Sequence, residues 1–382
     1  MVNDIEFLDF FSTQKEFKTL DFSLNRIDSA LRKIGFNEKD LGTVIHIAGT
    51  NGKGSTSYFI AQMFQKHGLK TALYTSPHIH NITERIKLNL KDVEYKLFNT
   101  KFVDFKEIIL SHKLTFFEAL TLIALKIFSE FKPDITILET GMGGRLDATN
   151  VINTKIPVIT SISHDHTEFL GKNIFDILNE KLAIIKENKT LFLGVNKRFI
   201  IEYIKKIFHD REIRIIEPKT DSFLIQKYPK PYIYNYLLAK DVVEYVLDKN
   251  LPDDTELFLP PCRMEKIGRF ILDGSHNPSG LLNTIKNFDS DTIIFSCTKD
   301  RPIEKMVKIL NSYFKNIILT EIPNNERSIS LENINIKHVL KIKDPITAIN
   351  KSIDISNKYD IVIIGSLYLC AYIREYLKGK CV

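Results

Sequence analysis

The stretch LGTVIHIAGTNGKGSTSYFIAQMFQKHG, from Leu41 to Gly68, decides the fold. Its first eight residues are nearly continuous in apolar and β-branched side chains, which predicts a buried strand. GTNGKGS follows at Gly49–Ser55, then a helical pattern from Ser55 to His67, with Gly68 just past its end. The glycines at 49, 52 and 54 permit backbone angles closed to other residues, so successive N–H groups can turn inward. Such a loop opening a helix holds a phosphate chain through N–H donors and the helix dipole. Thr50, Asn51, Gly52, Lys53, Gly54 and Ser55 are therefore the expected nucleotide contacts. Lys53 would meet the β- and γ-phosphates, and Ser55 or Thr56 a magnesium ion. The loop departs from the strict GxxxxGK[ST] pattern. Ile47 stands at the leading glycine, and Gly54 separates the lysine from the hydroxyl. The competing reading is a glycine-rich turn with a surface lysine; the apolar strand before it and the helix after it favour phosphate binding.

Working outward, the same alternation continues. KTALYTS reads as the next strand, and Thr115–Phe131 as a helix with Phe116, Leu120, Ile123, Ile127 and Phe131 at helical spacing. DITILET (Asp134–Thr140) and IPVITSIS (Ile156–Ser163) read as strands, and about Phe175 to Lys186 as a helix. Strands separated by helices predict an α/β fold with a mostly parallel sheet covered on both faces. LPDDTELFLPPCR (Leu251–Arg263) has three prolines and no helical period, as an interdomain linker would. Beyond it the alternation restarts with RFILDG, a helix after Pro278, DTIIFS, a helix near Ile303–Leu310, NIILTE, DIVIIGS and a terminal helix. The expected architecture is a P-loop ATP-binding domain over 1–250 and a smaller, Rossmann-like α/β domain over 251–382.

Composition narrows the function classes. The 382 residues are 44% apolar, enough for a sizeable core. The 53 basic and 47 acidic residues leave a net charge of +6, without the basic runs of a nucleic-acid arm. Cys262, Cys297, Cys370 and Cys381 lack CxxC spacing, as expected of reduced thiols in a cytoplasmic protein. No leader pattern opens the chain and no apolar run approaches 18 residues, so neither secretion nor a membrane span is expected. No heptad pattern calls for a dimer, and a monomer is expected.

Glu139 ends a buried strand, where ligands of open parallel sheets collect. The rings of Phe116 and Phe117 could stack on a flat heterocycle; the competing reading, expected of at least one of them, is core packing on a helix, and among 26 phenylalanines a chance aromatic pair is unremarkable. Further segments then occur in order: YTSPHI and ERI, ETGMGGRLDATN (Glu139–Asn150), SHDHTEFLG (Ser163–Gly171), EKLAIIK (Glu180–Lys186), CRME (Cys262–Glu265) and DGSHNP (Asp273–Pro278). FSLNRIDSALRKIGF and TKDRPIEKM flank them. Over about residues 20–310 this set resembles the folylpolyglutamate synthase and dihydrofolate synthase family, which belongs with the Mur ligases.

The resemblance implies an ATP-dependent ligase that adds L-glutamate to dihydropteroate, to a reduced folate, or to both, through an acyl phosphate. Its cofactors would be ATP, one or two magnesium ions and a monovalent cation at a second site. Its partners would be these small molecules, with no nucleic acid or membrane. It implies metal ligands at Ser76, Glu139, His166 and Lys181, the lysine as a carbamate, and catalytic roles for Lys53, Lys181 and His276. Adenine and ribose contacts fall on Asn235, Arg263 and Asp273, and pterin-side contacts on Thr115, Phe117, Arg145 and Asp147. Three positions depart from the family pattern: Tyr232 stands at a usual glutamine, Cys262 at the usual glycine before Arg263, and Thr298 at a usual aspartate. Arg263, Asp273 and His276 lie at or past the domain break, so closure of the domains would complete the site.

Two other readings compete. A Mur-type ligase of peptidoglycan precursors would carry a UDP-binding domain ahead of the loop, whereas 48 residues precede Gly49, and GKGS differs from that branch's GKTT. A non-catalytic P-loop nucleotide-binding protein is opposed by the retention of nearly every candidate metal and nucleotide residue.

Overall fold

In the computed structural model, Phe10 and residues 23–216, 228–252 and 257–380 are described. Residues 253–256 of the expected linker and Cys381 lie outside them. The described residues form two compact units, each built on its own sheet.

The first unit contains β1 (Thr43–Ala48), β2 (Thr71–Tyr74), β3 (Ile86–Leu88), β4 (Lys91–Asp92), β5 (Ile135–Glu139), β6 (Ile156–Ile159), β7 (Thr190–Leu193) and β8 (Glu212–Ile215). Their order is β4-β3-β2-β5-β1-β6-β7-β8. β1 lies between β5 and β6 and is parallel to both, with Ile47 level with Glu139 on one side and Val158 on the other. β3 and β4 extend the β2 edge antiparallel. Helices cover both faces, so the inner strands can be apolar at every position rather than alternating. On one face α1 (Asn25–Lys33), α3 (Tyr95–Ser111) and α4 (Phe116–Phe131) contribute Ile27, Leu31, Phe98, Phe102, Leu120 and Phe128 to the core. On the other, Ile159 and Leu193 meet Leu178 and Leu182 of α6 (Ile174–Leu182) and Ile200 of α7 (Arg198–Ile207). α2 (Lys53–Lys66) follows the glycine loop, α5 (Thr167–Leu170) is a single turn, and α8 (Lys230–Leu247) belongs to this unit from Tyr234 onward, its first residues belonging to the second.

The second unit orders β9 (Glu265–Ile267) to β14 (Ile361–Ile364) as β13-β12-β11-β14-β10-β9. β10 (Phe270–Asp273), β14, β11 (Thr292–Phe295), β12 (Asn316–Leu319) and β13 (Leu340–Lys341) run parallel, and β9 is antiparallel. The chain passes from β10 to β11 and later inserts β14 between them. Such a reversal opens a crevice at the carboxyl ends of the strands. Residues Asp273–His276, Ser296 and Ser366 stand at those ends. α9 (Pro278–Thr284), α10 (Ile303–Leu310), α11 (Pro345–Ile355) and α12 (Leu367–Lys380) complete the unit.

Boundaries differ from the sequence reading in physically traceable ways. Leu41 belongs to a 3₁₀ turn, and the strand starts at Thr43 after Gly42. α2 begins at Lys53 rather than Ser55, which puts the lysine in the first turn. The helix expected to about Lys186 stops at Leu182. There the Ala183 carbonyl accepts the Asn150 amide at 3.3 Å, while the Lys186 ammonium donates to the carbonyls of Asn150 and Ile152 at 2.9 and 2.8 Å. Among the described residues no helix is long and apolar enough to cross a membrane.

Candidate active site

β1 ends at Ala48 and delivers the glycine loop to the carboxyl edge of the first sheet. Gly52 takes φ 91°, and a Cβ there would overlap the Asn235 amide of α8, so glycine is required on two counts. The loop is braced from the segment after β6. Thr50 N–H donates to Ser161 O at 2.6 Å, and Thr160 Oγ1 and Ser161 Oγ donate to Asn51 O at 2.8 and 3.0 Å. The Thr50 hydroxyl donates to Ser163 O at 3.0 Å.

Two ammonium groups meet at the start of this loop. Lys53 Nζ and Lys181 Nζ each donate to the Gly49 carbonyl at 3.1 Å. Lys181 is buried, 3% exposed, rather than a solvated helix residue. Burial first and the neighbouring Lys53 charge second lower its pKa to about 7, against the opposing pull of Asp165, Asp147 and Glu180. Glu139, at the end of β5, accepts Ser76 N–H at 3.1 Å and lies against Gly54 in the first turn of α2. Thr140 beside it, and Thr56 on α2, have buried hydroxyls with no protein partner. Carboxylate and hydroxyl oxygens beside such a glycine loop suit a hard cation such as magnesium. Among the described residues no cluster of three His, Cys, Asp or Glu side chains forms a ready-made metal cage. The donor set therefore fits an ion that arrives with phosphate and keeps some of its water. His166 takes φ 50° at the start of α5, its Nε2 4.0 Å from Asp165 Oδ1.

The loop after β5, Gly141–Asn150, forms a second wall. The Phe117 ring lies against Gly141, where a Cβ would strike it, and 5.8 Å from the Tyr74 ring. Phe117 is half-buried, whereas Phe116 is buried in the core with the Arg85 guanidinium 5.5 Å from its ring. The Thr115 hydroxyl accepts Glu118 N–H at 3.3 Å as the cap of α4, and Glu118 returns to Thr115 N–H at 2.7 Å. Arg26 of α1 pairs with Glu118 at 3.2 Å. Asp147 accepts from Met142 N–H at 2.9 Å, Thr149 N–H at 3.1 Å and the Thr149 hydroxyl at 2.6 Å. Burial raises the Asp147 pKa, and those hydrogen bonds pull it back. Arg145, mostly exposed, pairs with Glu180 of α6 at 2.7 Å.

In the second unit Asp273 is fully buried and accepts from Tyr232 Oη at 2.5 Å, Met264 N–H at 3.1 Å and Ser275 N–H at 2.9 Å. Burial and the Asp273 charge hold the Tyr232 phenol well above its usual pKa, so it stays a donor. The Arg263 guanidinium lies beside Gly274, and His276 Nδ1 is 2.9 Å from the Gly274 carbonyl oxygen. Cys262, at the position of a usual glycine, is buried at φ 56°.

The expected residues thus gather in two sets. Thr50–Ser55, Ser76, Thr115, Phe117, Glu139, Arg145, Asp147, His166, Lys181 and Asn235 fall in the first unit. Arg263, Asp273 and His276 fall in the second. Sequence reading does not single out Arg26 or Thr149. T-x-x-E at 115–118 is a legible capping box and Asp147 with Thr149 a cap two residues apart, but the Arg26–Glu118 pair joins α1 to α4 across 92 positions, which no spacing rule connects.

The chain matches the Mur ligase middle domain model over residues 47–222. It is 29% identical to the dihydrofolate synthase/folylpolyglutamate synthase of Bacillus subtilis (strain 168), over 93% of this chain and 95% of that one. The chain is thus similar to dihydrofolate synthase/folylpolyglutamate synthase enzymes along nearly its whole length. Solved structures of such enzymes share its fold. The folylpolyglutamate synthase of Mycobacterium tuberculosis, complexed with ADP and AMPPCP, superposes with a TM-score of 0.84 at 22% identity, covering 97% of this chain and 98% of that one. The bifunctional folylpolyglutamate synthase/dihydrofolate synthase of Yersinia pestis, complexed with AMPPNP and Mn ion, gives 0.80 at 22%, covering 98% and 97%.

Proposed function

We propose that the chain is an ATP-dependent ligase that joins L-glutamate to the carboxylate of dihydropteroate, of a reduced folate, or of both. The observation that carries this reading is the meeting of Lys53 and Lys181 on Gly49, at a glycine loop bordered by Glu139. Similarity to dihydrofolate synthase/folylpolyglutamate synthase enzymes, and relatives solved with ADP, AMPPCP and AMPPNP, support it.

The chemistry follows from the reactants. A carboxylate and an amine do not condense in neutral water. The carboxylate oxygen attacks the γ-phosphorus of ATP, the bond to ADP breaks, and an acyl phosphate forms. The glutamate amine then attacks the acyl carbon, phosphate leaves, and the nitrogen gives up a proton. Lys53 and the loop N–H groups grip the phosphates and balance their charge. Glu139, Ser76 and His166 would hold magnesium, whose charge eases transfer of the phosphoryl group. Neutral Lys181 can attack carbon dioxide, lose a proton and become a carbamate, an anionic oxygen donor for a second ion. Asn235, Arg263 and Asp273 serve adenine and ribose, and His276 the phosphate or incoming amine. Phe117 stacks on the pterin ring, with Thr115, Arg145 and Asp147 around it. This reading divides the chain near residue 250. It takes the protein as a cytoplasmic monomer, on its scattered cysteines and lack of heptads.

The test offers ATP, magnesium and labelled glutamate with either dihydropteroate or tetrahydrofolate. Folate-dependent ADP release and a labelled product from dihydropteroate are expected. Product from tetrahydrofolate but none from dihydropteroate would reject the synthase part, and no ADP release with either would reject the ligase.

A further inference from the structure

Strand β1 carries a histidine that the ligase chemistry leaves unused. His46 is fully buried three residues before Gly49. Its Nδ1 lies 3.0 Å from Thr154 Oγ1 and its Nε2 2.7 Å from Thr149 Oγ1. The Thr149 hydroxyl also donates to Asp147 Oδ1 at 2.6 Å. A hydroxyl has one proton to give. With that proton on the carboxylate, Thr149 can only accept from the ring, so Nε2 must bear the hydrogen. Nδ1 can then take the proton of Thr154, which requires a neutral ring. Burial and the Lys186 charge favour the same state, holding the pKa down at about 3. The charged groups around the ring agree with it. Lys186 donates to the Asn150 and Ile152 carbonyls of the same turn, and Asp147 is one hydroxyl away. The flanking strands present Leu138 and Pro157 level with it.

We propose that His46 is a positioning residue: as its neutral Nε2–H tautomer it pins the Thr149 hydroxyl to Asp147 and so fixes the Gly141–Asn150 loop against the strand that carries the phosphate loop. A buried carboxylate supplied with donors in this way stays an acceptor of fixed direction, which suits recognition of a heterocycle edge bearing N–H groups. The substrate side of this inference rests on the proposed ligase function; the state of the ring does not.

Two measurements separate the parts. In wild-type protein labelled with ¹⁵N in its histidine rings, one ring should show the Nε2–H tautomer unchanged from pH 5 to 8, and that signal should vanish in His46→Gln. Titration of that ring near its ordinary value, or an Nδ1–H pattern, would overturn the inference whether or not the enzyme is a ligase. In kinetics, the glutamine amide can still donate to Thr149 and accept from Thr154, so His46→Gln should keep a near wild-type KM for the pterin-type substrate. His46→Phe and Thr149→Val should each raise that KM about tenfold, the equivalent of one net hydrogen bond, with the KM for ATP unchanged. The double variant should be no worse than the worse single one. Additive effects, or equal increases for both substrates, would count against the positioning role. Inactive wild-type protein would instead defeat the ligase reading and leave the ring measurement standing.

Discussion

Lys53 and Lys181 share one acceptor, the Gly49 carbonyl, each at 3.1 Å. Like charges so close in a partly desolvated pocket repel far more strongly than in water. Two outcomes relieve the repulsion: an anion enters between them, or Lys181 gives up its proton. The first is what a phosphate chain would do, and the second prepares Lys181 for carbamate formation.

Removing Lys53 tests the first outcome. On the proposed function its side chain serves binding rather than packing, so Lys53→Ala should lower turnover by about 10²–10³-fold. The urea midpoint should stay close to wild type. Normal turnover in the variant would remove the phosphate-loop assignment.

The second outcome has its own signal. With a pKa of about 7, Lys181 is mostly uncharged at pH 8 and mostly charged at pH 6. Protein held in ¹³C-bicarbonate should develop a carbamate carbon resonance that grows from pH 6 to 8 and is missing from Lys181→Arg. A flat baseline at pH 8 would leave Lys181 an unmodified amine.

How much of this was legible beforehand follows from the range of each interaction. The α/β alternation and the strand, glycine loop and helix over Thr43–Lys66 are local patterns, in which apolar runs, glycines and caps act on near neighbours, and they are readable to within a few residues. The pairing of Lys181 with Gly49 spans 132 positions and depends on β1 and α6 converging, which no local pattern encodes. The same holds for Tyr232, an apparent departure from an amide. Its hydroxyl reaches Asp273, 41 residues on, and serves that carboxylate as a donor. The resemblance makes Asp147 a pterin-side contact, while much of its hydrogen-bonding capacity goes to shaping its own loop.

Acid should destabilise the first unit through its buried histidine. The folded pKa of His46 is lowered to about 3, whereas the unfolded chain takes up a proton near 6.5. Between those values the unfolded state binds more protons, so stability is complete above about pH 6.5 and falls as pH drops toward 3. Each pH unit in that window costs about 1.4 kcal/mol per such group at most. Urea midpoints at pH 7, 5.5 and 4.5 should therefore decline, and decline less in His46→Gln. Equal slopes in the two proteins would show that His46 titrates normally in the fold.

Phe116 and Phe117 are consecutive and should behave oppositely. Phe116 begins α4 with its ring in the core, so Phe116→Ala leaves a cavity and should cost about 3–5 kcal/mol of stability. Phe117 points to the half-exposed wall formed with Gly141 and Tyr74, and its ring has less surface to lose from the core. Phe117→Ala should cost about 1 kcal/mol of stability. It should also raise the KM for the pterin-type substrate by about tenfold through lost stacking. Phe117→Tyr keeps a ring face and should retain most of the affinity. Chemical denaturation and initial rates on the same preparations separate the two positions. A KM increase at Phe116 equal to that at Phe117, with no difference in stability, would show that the core ring and the site ring had been assigned the wrong way round.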